Sequence, residues 1–233
     1  MVPVSFTPFA VHDDEFALGT GAETACALYW PAERALLVAD LHLEKASHFA
    51  RGGQMLPPYD SRETLERLAL AMRHSGARRV ICLGDNFHDG DGPARLESHA
   101  ASMLNALTRA ADWVWITGNH DEKGAIAPGT YLPELTVRGV HLRHEARGGE
   151  TRTEISGHFH PRLRVIQRGR AISRACAVVS ETRLILPAFG ALTGGMDAAS
   201  PAIRAALTPA RQGDALVAAA GRIARFPLWR DMA

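Results

Sequence analysis

Three short apolar runs, each leading into a cluster of acids, amides and histidines, constrain this chain more than any other feature. Ala35-Leu-Leu-Val-Ala39 runs into Asp40-Leu41-His42, Val80-Ile-Cys-Leu83 into Gly84-Asp85-Asn86, and Trp113-Val-Trp-Ile116 into Gly118-Asn119-His120-Asp121 one residue later. Continuous apolar runs of this length are expected of strands buried on both faces. The spacing between them predicts helices. Ser61 is placed to cap one running to about Ser75, with Glu63 and Glu66 in its first turns and Leu65, Leu68 and Met72 on one face. A second helix is expected from about Pro93 to Ala111, proline at its start. Strand, loop and helix repeated in this order make a parallel sheet covered by helices. After about residue 135 the texture changes. Short strands near 138–145, 152–157, 162–167, 174–179 and 182–187, divided by glycine-bearing turns, predict a more antiparallel second sheet, and a closing helix is expected over Asp214 to Ala224. No repeat or linker interrupts the chain, so 1–233 reads as a single α/β domain.

Composition narrows the class. At 233 residues with 46% hydrophobic content, the chain is long enough to bury a sizeable core and too apolar to be disordered. No apolar run approaches the ~18 residues of a membrane span. Met1 to Ala10 lacks a basic stretch followed by an apolar core, so no signal peptide is expected. Cys26, Cys82 and Cys176 are widely spaced, form no CxxC, and read as reduced thiols of a cytoplasmic protein. A net charge of +1 excludes a strongly basic, whole-surface nucleic-acid binder, though not a local basic patch.

The chemistry gathers where the strands end. Loops at the carboxyl ends of parallel strands converge on one crevice, so Asp40, His42, Asp85 and Asn119 are expected to meet. Further on lie His144 and Gly157-His158-Phe159-His160, whose two histidines, at i and i+2 of an extended stretch, share a side. Two carboxylates, one amide and four histidines form a mixed oxygen and nitrogen donor set. It suits Mn²⁺, Fe or Zn²⁺ and not calcium.

Taken in order, the D-x-H, G-D, G-N-H-D, later His and G-H-x-H motifs resemble those of the calcineurin-like metallophosphoesterases over about residues 35 to 165. Longer stretches are similar to the bacterial DNA ligase-associated members. These are Leu37-Val-Ala-Asp-Leu-His-Leu-Glu-Lys45, Leu83-Gly-Asp-Asn-Phe-His88, Gly118-Asn-His-Asp-Glu122, Arg143-His-Glu145, Gly157-His-Phe-His-Pro161 and Leu186-Pro-Ala-Phe-Gly-Ala-Leu-Thr-Gly-Gly195. The resemblance implies a four-layer α/β/β/α sandwich of two mixed sheets flanked by helices. It also implies two divalent ions, Mn²⁺ foremost: Asp40, His42 and His160 on one, Asn119, His144 and His158 on the other, and Asp85 bridging. Its further implications are an endonuclease acting on DNA, single strands preferred, in DNA repair, associated with a DNA ligase, a helicase and an exonuclease. Glu44 and Asn86 depart from the pattern, standing where glycine and an apolar residue are expected.

The remaining residues carry narrower expectations. His120, next to Asn119, is expected to contact the phosphate or protonate the leaving oxygen. Asp121 reads either as the acceptor that fixes an imidazole tautomer, that of His120 or another, or as a solvated acid. His144 is preferred over His141 because it shares strand parity with Val140 and Leu142. His88 follows the bridging carboxylate closely enough to touch substrate. Lys45, His48 and Arg51, read as a glycine-bearing loop at the rim, are candidates for a neighbouring phosphate, as are Arg162 and Arg164. Two rival functions use other logic: a phosphatase or small-molecule phosphodiesterase on the same centre, and a metal-free scaffold.

Overall fold

The structure is a computed structural model that describes residues 5–121, 127–167 and 169–230. Glu122, the end of the third motif, lies outside the described residues. In chain order the elements are β1 (Phe6–Val11), β2 (Asp14–Gly19), β3 (Leu28–Trp30), β4 (Ala35–Val38), α1 (Lys45–Arg51), α2 (Asp60–Ser75), β5 (Arg79–Leu83), α3 (Gly92–Arg95), α4 (Ser98–Ala110) and β6 (Asp112–Ile116). Then follow β7 (Thr130–Leu132), β8 (Glu134–Val137), β9 (Val140–Arg143), β10 (Glu154–Ser156), β11 (Arg162–Gln167), β12 (Arg170–Ala175), β13 (Ala177–Val179), β14 (Arg183–Ile185), α5 (Pro201–Ala206), β15 (Gln212–Ala219) and β16 (Arg222–Arg230).

The first sheet orders its strands β1 through β7. β4, β5, β6 and β7 pair in parallel, and β1, β2 and β3 extend the sheet as an antiparallel meander. The apolar runs work as two-faced strands. Leu36, Val38, Val80, Cys82, Trp113 and Trp115 face Leu65, Leu68 and Met72 of α2 and Ala100 and Leu104 of α4. Their neighbours Leu37, Ile81, Leu83, Val114 and Ile116 face a second sheet. That sheet runs β16-β15-β13-β14-β10-β9-β8 and meets the first through Val140, Leu142, Ile155, Leu184 and Leu216. On its far side Val178, Ile185, Ala215 and Val217 pack with Ile203 and Ala206 of α5. The layers are thus helix, sheet, sheet, helix, a mixed α/β sandwich. At about 1.5–3 kcal/mol per buried large apolar side chain, the sheet-to-sheet layer and the layer between the first sheet and α2 and α4 contribute comparably to its cohesion.

Several expected elements differ. The helix placed at 214–224 is a hairpin instead, β15 turning into β16 at Ala220 and Gly221, both at positive φ. Ala215 and Val217 pack toward α5 while Leu216 packs toward the first sheet, so burial on two faces overrides the helical preference of alanine. The helix placed at 93–111 is broken: Glu97 is extended and its carboxylate accepts from the backbone N–H of Ala100 at 3.0 Å, capping a new helix. Ser61 does not cap α2 but sits inside its first turn. The loop expected around Lys45, His48 and Arg51 is α1. The strand placed at 174–179 divides, β12 pairing only with β11 and β13 joining the second sheet. The second sheet also keeps two parallel pairings, β9 with β10 and β10 with β14.

Candidate metal centre

Beyond the ends of β4 and β5 the chain keeps a parallel pairing. Asp40 N–H donates to Gly84 at 3.1 Å, His42 N–H to Asp85 at 2.9 Å, and Leu43 N–H to Asn86 at 3.0 Å. This pairing holds backbone that would otherwise relax. Five of the seven candidate ligands have positive φ: Asp40 at 54°, His42 at 44°, Asp85 at 48°, His158 at 73° and His160 at 47°. For non-glycine residues this costs about 1–2 kcal/mol each, and strain of this kind collects where side chains must be aimed. Glycine is required beside them. At Gly84 (φ 80°) a Cβ would come within 2.4 Å of the His144 ring, and at Gly118 within 2.3 Å of Asp85 Oδ1.

The aimed side chains form two clusters joined by Asp85. In one, His42 Nε2 lies 3.3 Å from His160 Nε2 and 3.7 Å from Asp85 Oδ2, with His160 Nε2 3.6 Å from Asp40 Oδ1. In the other, His144 Nε2 lies 2.9 Å from Asn119 Oδ1, 3.0 Å from His158 Nδ1 and 3.4 Å from Asp85 Oδ1. Each Asp85 oxygen therefore faces a different cluster. Asp40, His42, Asp85 and His144 are buried, while His158 and His160 stand at the edge of solvent.

The donor chemistry fits a pair of divalent ions. His144 Nδ1 donates to the Leu83 carbonyl at 3.0 Å, so its Nε2 presents a lone pair to Asn119 Oδ1 and Asp85 Oδ1, themselves acceptors. Lone pairs facing one another repel unless a cation lies among them, and the ligand atoms of Asp40, His42 and His160, like those of Asp85, His144 and His158, lie within 4.8 Å of one another. Protonation, the alternative remedy, is opposed. Burial and the neighbouring His160 and Lys45 lower the pKa of His42 to about 2, and burial with His144 lowers that of His158. Neutral imidazoles are the form that binds metal.

Around this core the other predicted residues take definite places. His120 Nδ1 donates to the His88 carbonyl at 2.9 Å, turning Nε2 toward Asp85 Oδ2 3.9 Å away, with 40% of the side chain exposed. The His88 ring lies against those of His42 and His120, and burial with Lys45 lowers its pKa to about 4. His141 points away from the centre, to Thr136 and Glu134. Lys45 is half-buried near His42 and His88, whereas Arg51 pairs with Asp91 at 3.3 Å. Arg162 turns away, donating to Ser173.

Asp121 contacts no imidazole and is no solvated acid. Its Oδ1 accepts from the backbone N–H of Asn86 at 2.9 Å and of Phe87 at 3.2 Å; Oδ2 accepts from Gly118 N–H at 2.9 Å and from Asn86 Nδ2 at 2.7 Å. It fastens the Asp85 loop to the Asn119 loop. Asn86, one departure from the family pattern, also donates to Ile116 O at 2.9 Å. Glu44, the other, adopts φ 64°, which explains why glycine is expected there; Ser61 holds it, donating to its carboxylate and accepting from its N–H, both at 2.8 Å. The stretch from Leu186 to Gly195 backs the first motif, with Phe189 N–H donating to Ala39 O at 2.8 Å and Gly190 N–H to Asp40 O at 3.2 Å.

Residues 33–163 match the profile of the calcineurin-like phosphoesterases, more than half of the chain. The structure is similar to the crystal structure of the nuclease MPE of Pseudomonas putida, with a TM-score of 0.72 and 29% sequence identity over 95% of this chain and 100% of that one. No curated protein matches. Among the described residues, no helix is long and apolar enough to cross a membrane.

Proposed function

The chain belongs to the calcineurin-like phosphoesterase family and is a metal-dependent phosphoester hydrolase, and on that footing we propose that it is a nuclease that cuts single-stranded DNA internally. The observation that carries this reading is the likeness to a nuclease along almost the whole of both chains. The openness of the site agrees: His120, His158 and His160 all reach solvent, so a polymer has access without threading into a closed pocket.

The family uses a dinuclear divalent centre. In our reading Asp40, His42 and His160 would hold one ion and Asn119, His144 and His158 the other, with Asp85 available to both. When bound, the two ions polarise the phosphate oxygens and neutralise the charge that grows on them. The protein's own groups supply position and a proton. His120, its ring fixed by the His88 carbonyl, presents Nε2 to the leaving oxygen and, in its protonated form, donates a proton to that oxygen as a water oxygen adds to phosphorus and the P–O bond breaks, the proton of the water passing to solvent. Its exposure lets solvent reprotonate it. Lys45 adds positive charge on the His42 and His88 side, where a phosphate flanking the scissile one would lie, and His88 borders the same path, whereas Arg51 is engaged by Asp91.

Mn²⁺ is the metal we assign, because imidazole-rich oxygen and nitrogen sites favour it over Mg²⁺. A cytoplasmic role in DNA repair beside a ligase, a helicase and an exonuclease follows from the sequence resemblance alone. We read 1–233 as one catalytic domain, since His144, His158 and His160 of the second sheet complete the donor set that the first sheet's loops begin.

The deciding substrate is a closed circular single strand incubated with Mn²⁺, since it offers no end to an exonuclease or a phosphatase. Linearisation followed by shorter fragments is expected. An untouched circle, with phosphate released rapidly from a nucleotide or a 5′-phosphorylated end, would replace the nuclease reading with the phosphatase one.

A further inference from the structure

Beside the two donor clusters runs an open groove of about 670 Å³ that the chemistry above leaves unused. Its walls are His48, Phe49 and Arg51 of α1, Gln54 beyond it, and Asp89 and Asp91 from the loop after β5. A series of rings leads into it from the centre. His120 and His88 stack with centroids 5.3 Å apart and planes inclined by 20°; His88 and Phe49 follow at 5.4 Å and 32°; His48 meets His88 edge-on at 4.7 Å. Phe49 is therefore the outermost ring of a shallowly inclined stack that begins at the proton donor.

The two carboxylates in the wall are not free charges. Asp89 accepts from Arg95 Nη1 at 2.9 Å and Nη2 at 2.8 Å and is also paired with His48; Asp91 is paired with Arg51. Neither Gly52 nor Gly90 narrows the groove with a side chain. What remains is an open, largely neutral slot with an aromatic wall and polar edges. A phosphate fits such a slot poorly and a planar heterocycle fits it well.

We propose that this groove is a subsite for one unpaired nucleobase of the strand being cut, next to the scissile phosphate, with Phe49 as its stacking face. The inference rests on the nuclease reading and extends it. Every base has a π-face, so the subsite tolerates sequence, as stacking platforms for single strands do. A base in a duplex must first leave its stack and its partner to enter, which supplies a structural cause for preferring single strands.

The test scans a short single-stranded oligonucleotide, cut in Mn²⁺, with one abasic position at a time, using wild type, Phe49→Leu and Phe49→Trp. Bis(p-nitrophenyl) phosphate, which carries no nucleobase, is the control. In wild type, one abasic position beside the cut should raise KM about fivefold to a hundredfold, the range of base stacking on an aromatic side chain. Phe49→Leu should raise KM for the intact oligonucleotide similarly and abolish the abasic effect, while keeping kcat on the control within twofold. Phe49→Trp should retain both. Oligonucleotide cutting with no abasic-sensitive position, or an abasic effect that persists in Phe49→Leu, overturns the base subsite alone, and equal losses on both substrates make Phe49 a packing residue for His88. Wild type that hydrolyses the control yet leaves every oligonucleotide whole overturns the nuclease reading and this inference with it.

Discussion

Asp121→Ala removes a carboxylate that accepts four N–H groups and touches none of the candidate ligands' side chains. Asn86 Nδ2 keeps a second acceptor in Ile116 O, but the backbone N–H groups of Asn86, Phe87 and Gly118 lose theirs. Each hydrogen bond to a charged group is worth about 1.5–3 kcal/mol, and a buried donor left unpaired costs about 1–3 kcal/mol. Simple addition would exceed the real loss. Burial and the nearby Asp85 raise the pKa of Asp121 despite its three backbone donors, so the ionised carboxylate already bears a cost that truncation relieves. We expect a net loss of about 3 kcal/mol in urea unfolding of the metal-free protein. Because the carboxylate joins the loops that carry Asp85 and Asn119, metal affinity should fall about 10–100-fold, as when groups that orient metal ligands are removed. Asp121→Asn should be intermediate, since its NH₂ would face donors on one side. Stability within 1 kcal/mol of wild type and unchanged metal affinity would refute the role of this carboxylate as a loop staple.

Asp85→Ala should abolish hydrolysis and weaken metal occupancy at both positions, measured by elemental analysis; loss at one position with activity retained would contradict a shared ligand. His120→Ala should cut kcat on DNA by about 10²–10⁴-fold without loss of metal, and by much less on a nitrophenyl diester, whose leaving group needs no proton. Equal losses on the two substrates would move His120 to phosphate stabilisation. Glu154, fully buried with Arg143 Nε at 3.3 Å and Arg183 Nη1 at 3.7 Å, has its pKa raised by burial from 4.5 to about 7, the arginines opposing. A raised carboxyl pKa contributes stability that is present below pH 4.5 and lost as pH rises through 7. At about 1.4 kcal/mol per unit, stability should fall by about 3 kcal/mol more between pH 4.5 and 8 in wild type than in Glu154→Gln. Parallel pH profiles would show that Glu154 is not the group responsible.

Much of this was legible in the residues because chemistry and fold share one pattern. An uninterrupted apolar run marks a strand buried on both faces, so Asp40, Asp85 and Asn119 mark the points where β4, β5 and β6 emerge from the core. Parity on β9 likewise separates His144, which faces the centre, from His141, which faces Glu134. What stayed hidden depends on tertiary context. The alanines of 215–219 fit a helix by propensity and a strand only once both neighbouring layers are known. β1 contains Pro8, which weakens a strand reading and is tolerated there because β1 is at the sheet edge. The role of Asp121 was out of reach because its partners are mainly backbone N–H groups, which residue types do not reveal. The ring stack from His120 to Phe49 joins α1 to two loops distant in sequence, and no spacing rule links them.

The central claim is that one carboxylate joins two metal positions, and anomalous scattering from a Mn²⁺-loaded crystal tests it most directly. Two peaks are predicted, one among Asp40, His42 and His160 and the other among Asn119, His144 and His158, with Asp85 bound to both. A single peak, or a second peak that Asp85 does not touch, would contradict the account.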